Sequence, residues 1–357
     1  MSKLSFLTPG PSELYYTVAD HLKTALREHV TEISHRSKAF QQIFAHTTAQ
    51  LRELLNLPDG FHIGFTGSAT EIWERVIENL CDTHTFHLVN GSFSKKFYDF
   101  AGQLKRQATK CEVPLGQGFD LAQVQVPAEA ELICLTQNET STGVMVPLAD
   151  LQALRERHPD KLMVVDAVSS APYPAFDFAH LDSLFFSVQK CFGLPAGLGV
   201  WIFNERCVAK AEALAGQGAN IGTYHTIPAL VSNAKKNETP ETPNMLGIYL
   251  LGKVAEDMNR RGIRAIRQET DYKAALTYAA LAKTEGYEVA VRNPAHRSQT
   301  VIVANLLNQS SADFIARFKA QGIIVGSGYG PDKDRQIRIA NFPTHSKEVF
   351  EQLVDGL

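Results

Sequence analysis

Short apolar runs alternate with helix-length stretches through the first two thirds of this chain, and that pattern leaves few folds open. Strands are expected at 61–65, 85–90, 131–136, 162–168, 183–188 and 198–203, with helices at 71–80, 93–107, 148–158 and 205–215. Strands that are apolar nearly throughout belong in a mostly parallel sheet covered by helices on both faces. In such α/β sheets ligands bind beyond the carboxyl ends of the strands. Ahead of the alternation, 4–15 reads as an irregular arm (Pro9, Gly10, Pro11), followed by helices at 16–29 and 37–57 joined by a loop at 33–37. After it, 216–245 is a Gly-, Asn-, Thr- and Pro-rich excursion, and 244–284 is helical. The end reads as strand 299–305, helix 311–321, strands 322–326 and 336–340, and helix 346–356, an α+β arrangement. At roughly 100–200 residues per domain, 357 residues fit two domains. The expectation is a large α/β domain over 15–255 and a smaller α+β domain over 256–357, with the arm 1–14 packing near the latter.

Charge and cysteine content exclude several functions. The 35 basic and 38 acidic residues nearly balance, which argues against a nucleic-acid binder. No apolar run approaches the ~18 residues of a membrane span, and the first residues lack the apolar segment of a signal peptide. The cysteines, Cys81, Cys111, Cys134, Cys191 and Cys207, are odd in number and never form a CxxC pair. A reduced cytoplasmic setting is expected, without a disulfide framework or structural zinc. His84 and His87 are three apart on an expected strand and so face opposite ways, which argues against a metal pair.

Two strand ends carry chemistry. The run Leu162-Met163-Val164-Val165 delivers Asp166 at its end, and Leu184-Phe185-Phe186-Ser187-Val188-Gln189 delivers Lys190 into a turn rich in Gly and Pro. A buried acid must be paired or face a ligand. A desolvated lysine has a lowered pKa and becomes an amine nucleophile. An acid and a lysine at neighbouring strand ends suit pyridoxal phosphate (PLP), which bonds to a lysine amine and needs an acidic partner for its ring nitrogen. The small residues of Thr66-Gly67-Ser68-Ala69-Thr70, opening a helix, offer an anion site for its phosphate.

In order along the chain stand Glu32-Ile33-Ser34-His35-Arg36-Ser37, Asn138-Glu139-Thr140 with Gly143, Asp166 with Ser169-Ser170, Gln189-Lys190, and Pro195-Ala196-Gly197-Leu198. Together they resemble the fold-type I PLP enzymes of the class V aminotransferase group, and within it the phosphoserine-type members. The resemblance runs over nearly the whole chain. It implies a large domain with a seven-stranded-type sheet, a small C-terminal domain, and a homodimer with shared active sites. Lys190 would bond to the cofactor and Asp166 would pair with its ring nitrogen. Ser68 and Ala69 would hold the phosphate through backbone N–H groups, assisted by Gln189. Phe93 would stack on the ring, Thr140 would bond the ring hydroxyl, and Thr242, or Thr239 nearby, would reach the neighbouring subunit's phosphate. Arg338 would clamp the substrate carboxylate, Thr8 would lie near the substrate, and His35 and Arg36 would meet its distal anion from the partner subunit. The implied reaction moves an amino group between phosphoserine and 2-oxoglutarate.

The sequence departs from that pattern at three places. Glu241 stands where an asparagine is common, so its carboxylate is expected to point away from the phosphate, and Ala69 replaces an arginine. The His-Arg pair that often precedes the carboxylate arginine is missing from Tyr329-Gly330-Pro331-Asp332-Lys333-Asp334-Arg335, leaving Lys333 or Arg335 as substitutes. An alanine– or serine–glyoxylate aminotransferase is the alternative, since Thr8-Pro9-Gly10-Pro11 also resembles that group. A cysteine desulfurase needs a late cysteine, and the last here is Cys207. A nicotinamide-binding oxidoreductase needs a GxGxxG between strand and helix, which is missing.

Overall fold

The computed structural model describes residues 4–357; the first three residues of the expected arm lie outside them. In chain order come β1 (Ser5–Leu7), α1 (Val18–Arg27), α2 (Lys38–Leu55), β2 (Phe61–Thr66), α3 (Ala69–Leu80), β3 (His84–Val89), α4 (Ser92–Gln103), β4 (Gln107–Glu112), β5 (Leu132–Thr136) and the hairpin β6 (Asn138–Glu139) and β7 (Val144–Met145). Then follow α5 (Leu148–Arg157), β8 (Leu162–Asp166), β9 (Ser183–Ser187), β10 (Gly199–Asn204), α6 (Glu205–Gly216), α7 (Ile227–Ala234) and α8 (Met245–Arg261). The rest is α9 (Ile263–Lys283), β11 (Tyr287–Val289), β12 (Val301–Leu306), α10 (Ser311–Ala320), β13 (Ile323–Ser327), β14 (Gln336–Ala340) and α11 (Lys347–Asp355).

Seven strands form one sheet in the order β2-β10-β9-β8-β5-β3-β4. All neighbours are parallel except β10, which runs antiparallel to both β2 and β9. The strand period of two explains why the inner strands are apolar throughout. Ile133, Leu135, Met163, Val165, Leu184 and Phe186 face a core shared with α2, α5 and α8. The alternate residues Leu132, Cys134, Leu162, Val164 and Phe185 face a second core with α3, α4, α6 and α7. Both faces are therefore dry, as expected for a helix-covered parallel sheet.

The second sheet has the order β1-β13-β14-β12-β11. One face packs under α9, α10 and α11 through Ala274, Phe314, Phe318, Ile337 and Phe350. The other face, with Val301, Val303 and Ala340, packs on Cys191 beside Lys190.

Several expectations needed correction. The arm is not wholly irregular: β1 pairs in parallel with β13, an interaction between distant segments that no local pattern records. The helix expected through 107 stops at Gln103, and β4 occupies the sheet edge, where one exposed side removes the apolar signature. The excursion 216–245 contains α7, capped by Thr226. The helical stretch 244–284 is two helices, divided at Gly262, whose φ of 86° suits glycine. The apolar face of α8, with Ile248, Leu251, Val254 and Met258, joins the core of the large sheet. Among the described residues no helix is long and apolar enough to cross a membrane.

Candidate active site

Strands β8 and β9 are adjacent and parallel, so Asp166 and the turn after Ser187 emerge at the same sheet edge. Asp166 is buried. Its Oδ2 accepts a hydrogen bond from Trp73 Nε1 at 2.9 Å and its Oδ1 one from the Val168 amide at 3.0 Å. Burial pushes its pKa up to about 6, against the pull of those two donors and of Lys190. Lys190 is also buried, and loss of hydration brings its amine down to about 8 although the Asp166 carboxylate favours the charged form. Its Nζ donates to Thr140 Oγ1 at 3.1 Å and lies 5.2 Å from the Phe93 ring centroid.

The arm closes over the lysine. Ser12 N donates to the Gln189 carbonyl at 3.1 Å, and Tyr15 N to that of Gly193 at 2.7 Å. This backbone lays Gly10 on the Lys190 stem so closely that a Cβ would stand 2.9 Å from Cε. Thr8, in the same arm, donates its hydroxyl to the Pro11 carbonyl at 2.6 Å.

Arg338 enters from the small sheet. Its Nε donates to the Ser327 carbonyl at 2.8 Å, its Nη1 to the Thr140 carbonyl at 3.5 Å, and its guanidinium covers the Tyr329 ring at 5.2 Å. Tyr329 in turn packs on Phe93, with centroids 5.2 Å apart. Lys190, Thr140, Phe93, Tyr329 and Arg338 thus form one connected group, which Asp166 joins from the neighbouring strand end. Ser68 caps α3, its Oγ accepting from Glu71 N at 3.1 Å. The Ala69 amide, expected to hold a phosphate, donates to Ser187 Oγ at 2.8 Å. Gln189 follows β9, and its buried Oε1 has no hydrogen-bond partner.

His35, Arg36 and Thr242 form a second group. Thr242 Oγ1 lies 3.3 Å from His35 Nδ1, and Arg36 pairs with Glu238 at 2.6 Å while its other nitrogen donates to the Pro240 carbonyl at 3.3 Å.

The family profile described as aminotransferase class-V matches residues 6–331. The chain belongs to the class V aminotransferases. A phosphoserine aminotransferase from Nocardioides sp. is 27% identical over 351 residues, covering 98% of this chain and 93% of that protein. The crystal structure of a phosphoserine aminotransferase from Cytophaga hutchinsonii matches at a TM-score of 0.98 and 50% identity, over 100% of this chain and 99% of that one. An aspartate aminotransferase from Thermus thermophilus shares the fold at a TM-score of 0.83 and 21% identity, over 99% and 97% of the chains.

Pyridoxal phosphate is the cofactor of class V aminotransferases, and the residues present fit it. A buried amine, a buried carboxylate with unused acceptor positions, an aromatic face and an unpartnered Gln189 oxygen surround the strand ends beside the start of α3. In this class V chain, sequence reasoning missed what holds these groups. Glu139, quoted only as part of a motif, is fully buried and accepts from Ser94 N at 2.8 Å, Ser94 Oγ at 2.9 Å and Ser141 Oγ at 2.7 Å. Its charge sits at the start of α4, where the helix dipole favours an anion, and fixes Phe93 relative to Thr140. Trp73, which orients Asp166, reads in the sequence as an ordinary core residue of α3.

His225 was also missed. It is buried between two carboxylates, with Nδ1 on Glu71 and Nε2 3.0 Å from Glu241. Glu71 Oε2 accepts the Gly67 amide at 2.8 Å. Burial draws the imidazole pKa down, but the bonds to Glu241 and Glu71 overcome this and raise it to about 9. The folded value exceeds the unfolded one, so the stabilisation is complete below about pH 6.5 and is lost as pH rises through about 9. His225→Ala is expected to cost on the order of 2–3 kcal/mol at pH 6.5 and clearly less at pH 9.5. Urea unfolding of both proteins at the two pH values measures this, and an equal cost at both would show that the charge is not responsible.

Proposed function

We propose that this PLP-dependent transaminase moves an amino group between phosphoserine and 2-oxoglutarate, as a cytoplasmic homodimer with shared active sites. The observation that carries the reaction type is the buried Lys190 amine, set beside Thr140 and Phe93 at a strand end neighbouring Asp166. The names of the relatives above support the substrate. The alternative remains an alanine– or serine–glyoxylate enzyme. It is favoured by Arg36, whose guanidinium is engaged by Glu238 within its own chain.

When bound, PLP supplies an aldehyde that condenses with amines and a ring that accepts electrons from the bond broken at the substrate Cα. The residues do the rest. Lys190, about 8 when buried, has a neutral amine fraction at physiological pH and moves the Cα proton through Nζ. Asp166 holds the proton on the ring nitrogen, Thr140 positions the ring hydroxyl, and Phe93 covers the ring face. Ser68, Ala69 and Gln189 hold the phosphate; the Ala69 amide must release Ser187 Oγ to do so or leave the task to its neighbours. Thr242 or Thr239 serves the phosphate of the adjoining copy. Arg338 clamps the α-carboxylate, a task suited to a planar guanidinium, Thr8 borders the substrate, and His35 and Arg36 meet the distal anion across the dimer. The large α/β domain is read over 15–255 and the smaller α+β domain over 256–357; α8, which runs across that boundary, places its apolar face in the core of the large sheet.

The test is a matched kinetic series. Arg338→Ala should lower kcat/KM for every amino acid by about tenfold to a hundredfold, the value of a charged hydrogen bond. Arg36→Ala should lower the ratio of phosphoserine to alanine turnover by a similar factor. An unchanged ratio would remove Arg36 from distal recognition. A wild type inert toward phosphoserine but active with alanine or serine plus glyoxylate would move the function to the alternative.

A further inference from the structure

Resting on the phosphoserine reading, we propose that Lys96 is the same-chain cation that recognises the substrate's distal phosphate and sets the preference for a phosphorylated amino acid. Lys96 lies one helical turn after Phe93 on α4, so the two side chains share a face. Its Nζ stands 5.5 Å from the Phe93 centroid and 5.6 Å from that of Tyr329, and donates to the Tyr329 hydroxyl at 3.1 Å. Those are the rings that touch the two reactive cations: Phe93 faces Lys190 and Tyr329 faces Arg338. Lys96 is therefore one aromatic ring away from both the amine and the carboxylate clamp, at the solvent side of the group.

Its charge rests on the two rings and has no counter-ion among the described residues. Neighbouring Lys95 pairs with Asp99 at 2.7 Å, whereas among the described residues no carboxylate pairs with Lys96. The Tyr329 hydroxyl uses one of its three N–H donors. The substitutes expected from sequence, Lys333 and Arg335, are exposed, and their backbone is tied to the start of α10 and the end of β12: the Lys333 carbonyl accepts from Ser311 Oγ at 2.9 Å and the Arg335 carbonyl from Leu306 N at 2.8 Å. Lys96 thus supplies, from a different element than the stretch before Arg338, a cation in direct contact with Tyr329. A flexible ammonium suits a phosphate that arrives and leaves with each turnover.

The experiment compares holoenzyme of wild type, Lys96→Met and Lys96→Arg with phosphoserine and with alanine, following the first half-reaction by cofactor absorbance. Lys96→Met should lower the phosphoserine-to-alanine ratio of kcat/KM about tenfold, mainly through KM, and Lys96→Arg should recover it to within about threefold. Thermal melts check that the exposed substitution leaves the fold intact. A ratio in Lys96→Met within about twofold of wild type, with phosphoserine still a good substrate, overturns the role of Lys96 and leaves the substrate reading standing. A wild type that does not accept phosphoserine overturns both.

Discussion

Lys190→Ala is expected to lose transamination by at least about 10³–10⁴-fold, because the same amine both anchors the cofactor and moves the Cα proton. Its fold should survive, and the cofactor-free protein should be no less stable than wild type at pH 7. Burial lowers the Lys190 pKa to about 8, so near neutrality the folded state carries the cost of a desolvated ammonium that the unfolded chain avoids. The unfolded state binds more protons between about pH 8 and 10.5, so this penalty is greatest below that window and fades through it. Removing the amine should therefore gain on the order of 1–3 kcal/mol at pH 7, offset by lost packing of the stem against Gly10. Single-turnover assays and urea unfolding at pH 7 and pH 10 read both effects. A variant that transaminates at the wild-type rate would sink the assignment. A variant whose stability relative to wild type is the same at both pH values would sink the electrostatic account.

Asp166→Asn should reduce turnover by about 10²–10³-fold while keeping the shape of the site, since preorganised charge is removed and one oxygen acceptor remains for Trp73 or Val168. The carboxyl pKa is raised by burial to about 6. A raised acid is most stabilising in its protonated form, so its contribution declines as pH climbs from about 3.8 through 6. The cofactor-free Asn variant should thus be more stable than wild type at pH 7.5, by on the order of 2–3 kcal/mol, and nearly equal to it at pH 4. A rate within about threefold of wild type would show that Asp166 does not serve the ring nitrogen. Equal stability at both pH values would show that burial exacts no charge penalty there.

Much of the large sheet was legible because its inner strands are buried on both faces and so read as unbroken apolar runs, as in Leu162-Met163-Val164-Val165. The same property exposed Asp166 and Lys190, the polar residues that end such runs. Legibility failed where one side of an element meets solvent or where its partner is far away in sequence. β4 lies at an edge and has no fully buried residue, and β1 has a strand pattern only because β13 stands beside it.

The sequence by itself determined the alternation of strands and helices, the placing of an acid and a lysine at strand ends, and, by resemblance, the reaction class. Only the tertiary structure decided how the ends are dressed. Trp73 aims at Asp166 from another element, Glu139 caps α4 from the hairpin, and Gly10 arrives at Lys190 along an arm held by the second sheet. The physical reason lies in the range of the forces. Periodicity records which face of an element avoids water, a property of neighbours in the chain. Hydrogen bonds, pKa values and close packing depend on groups brought within a few ångströms from distant segments, and a position such as Lys96 acquires its meaning only from the rings placed beside it.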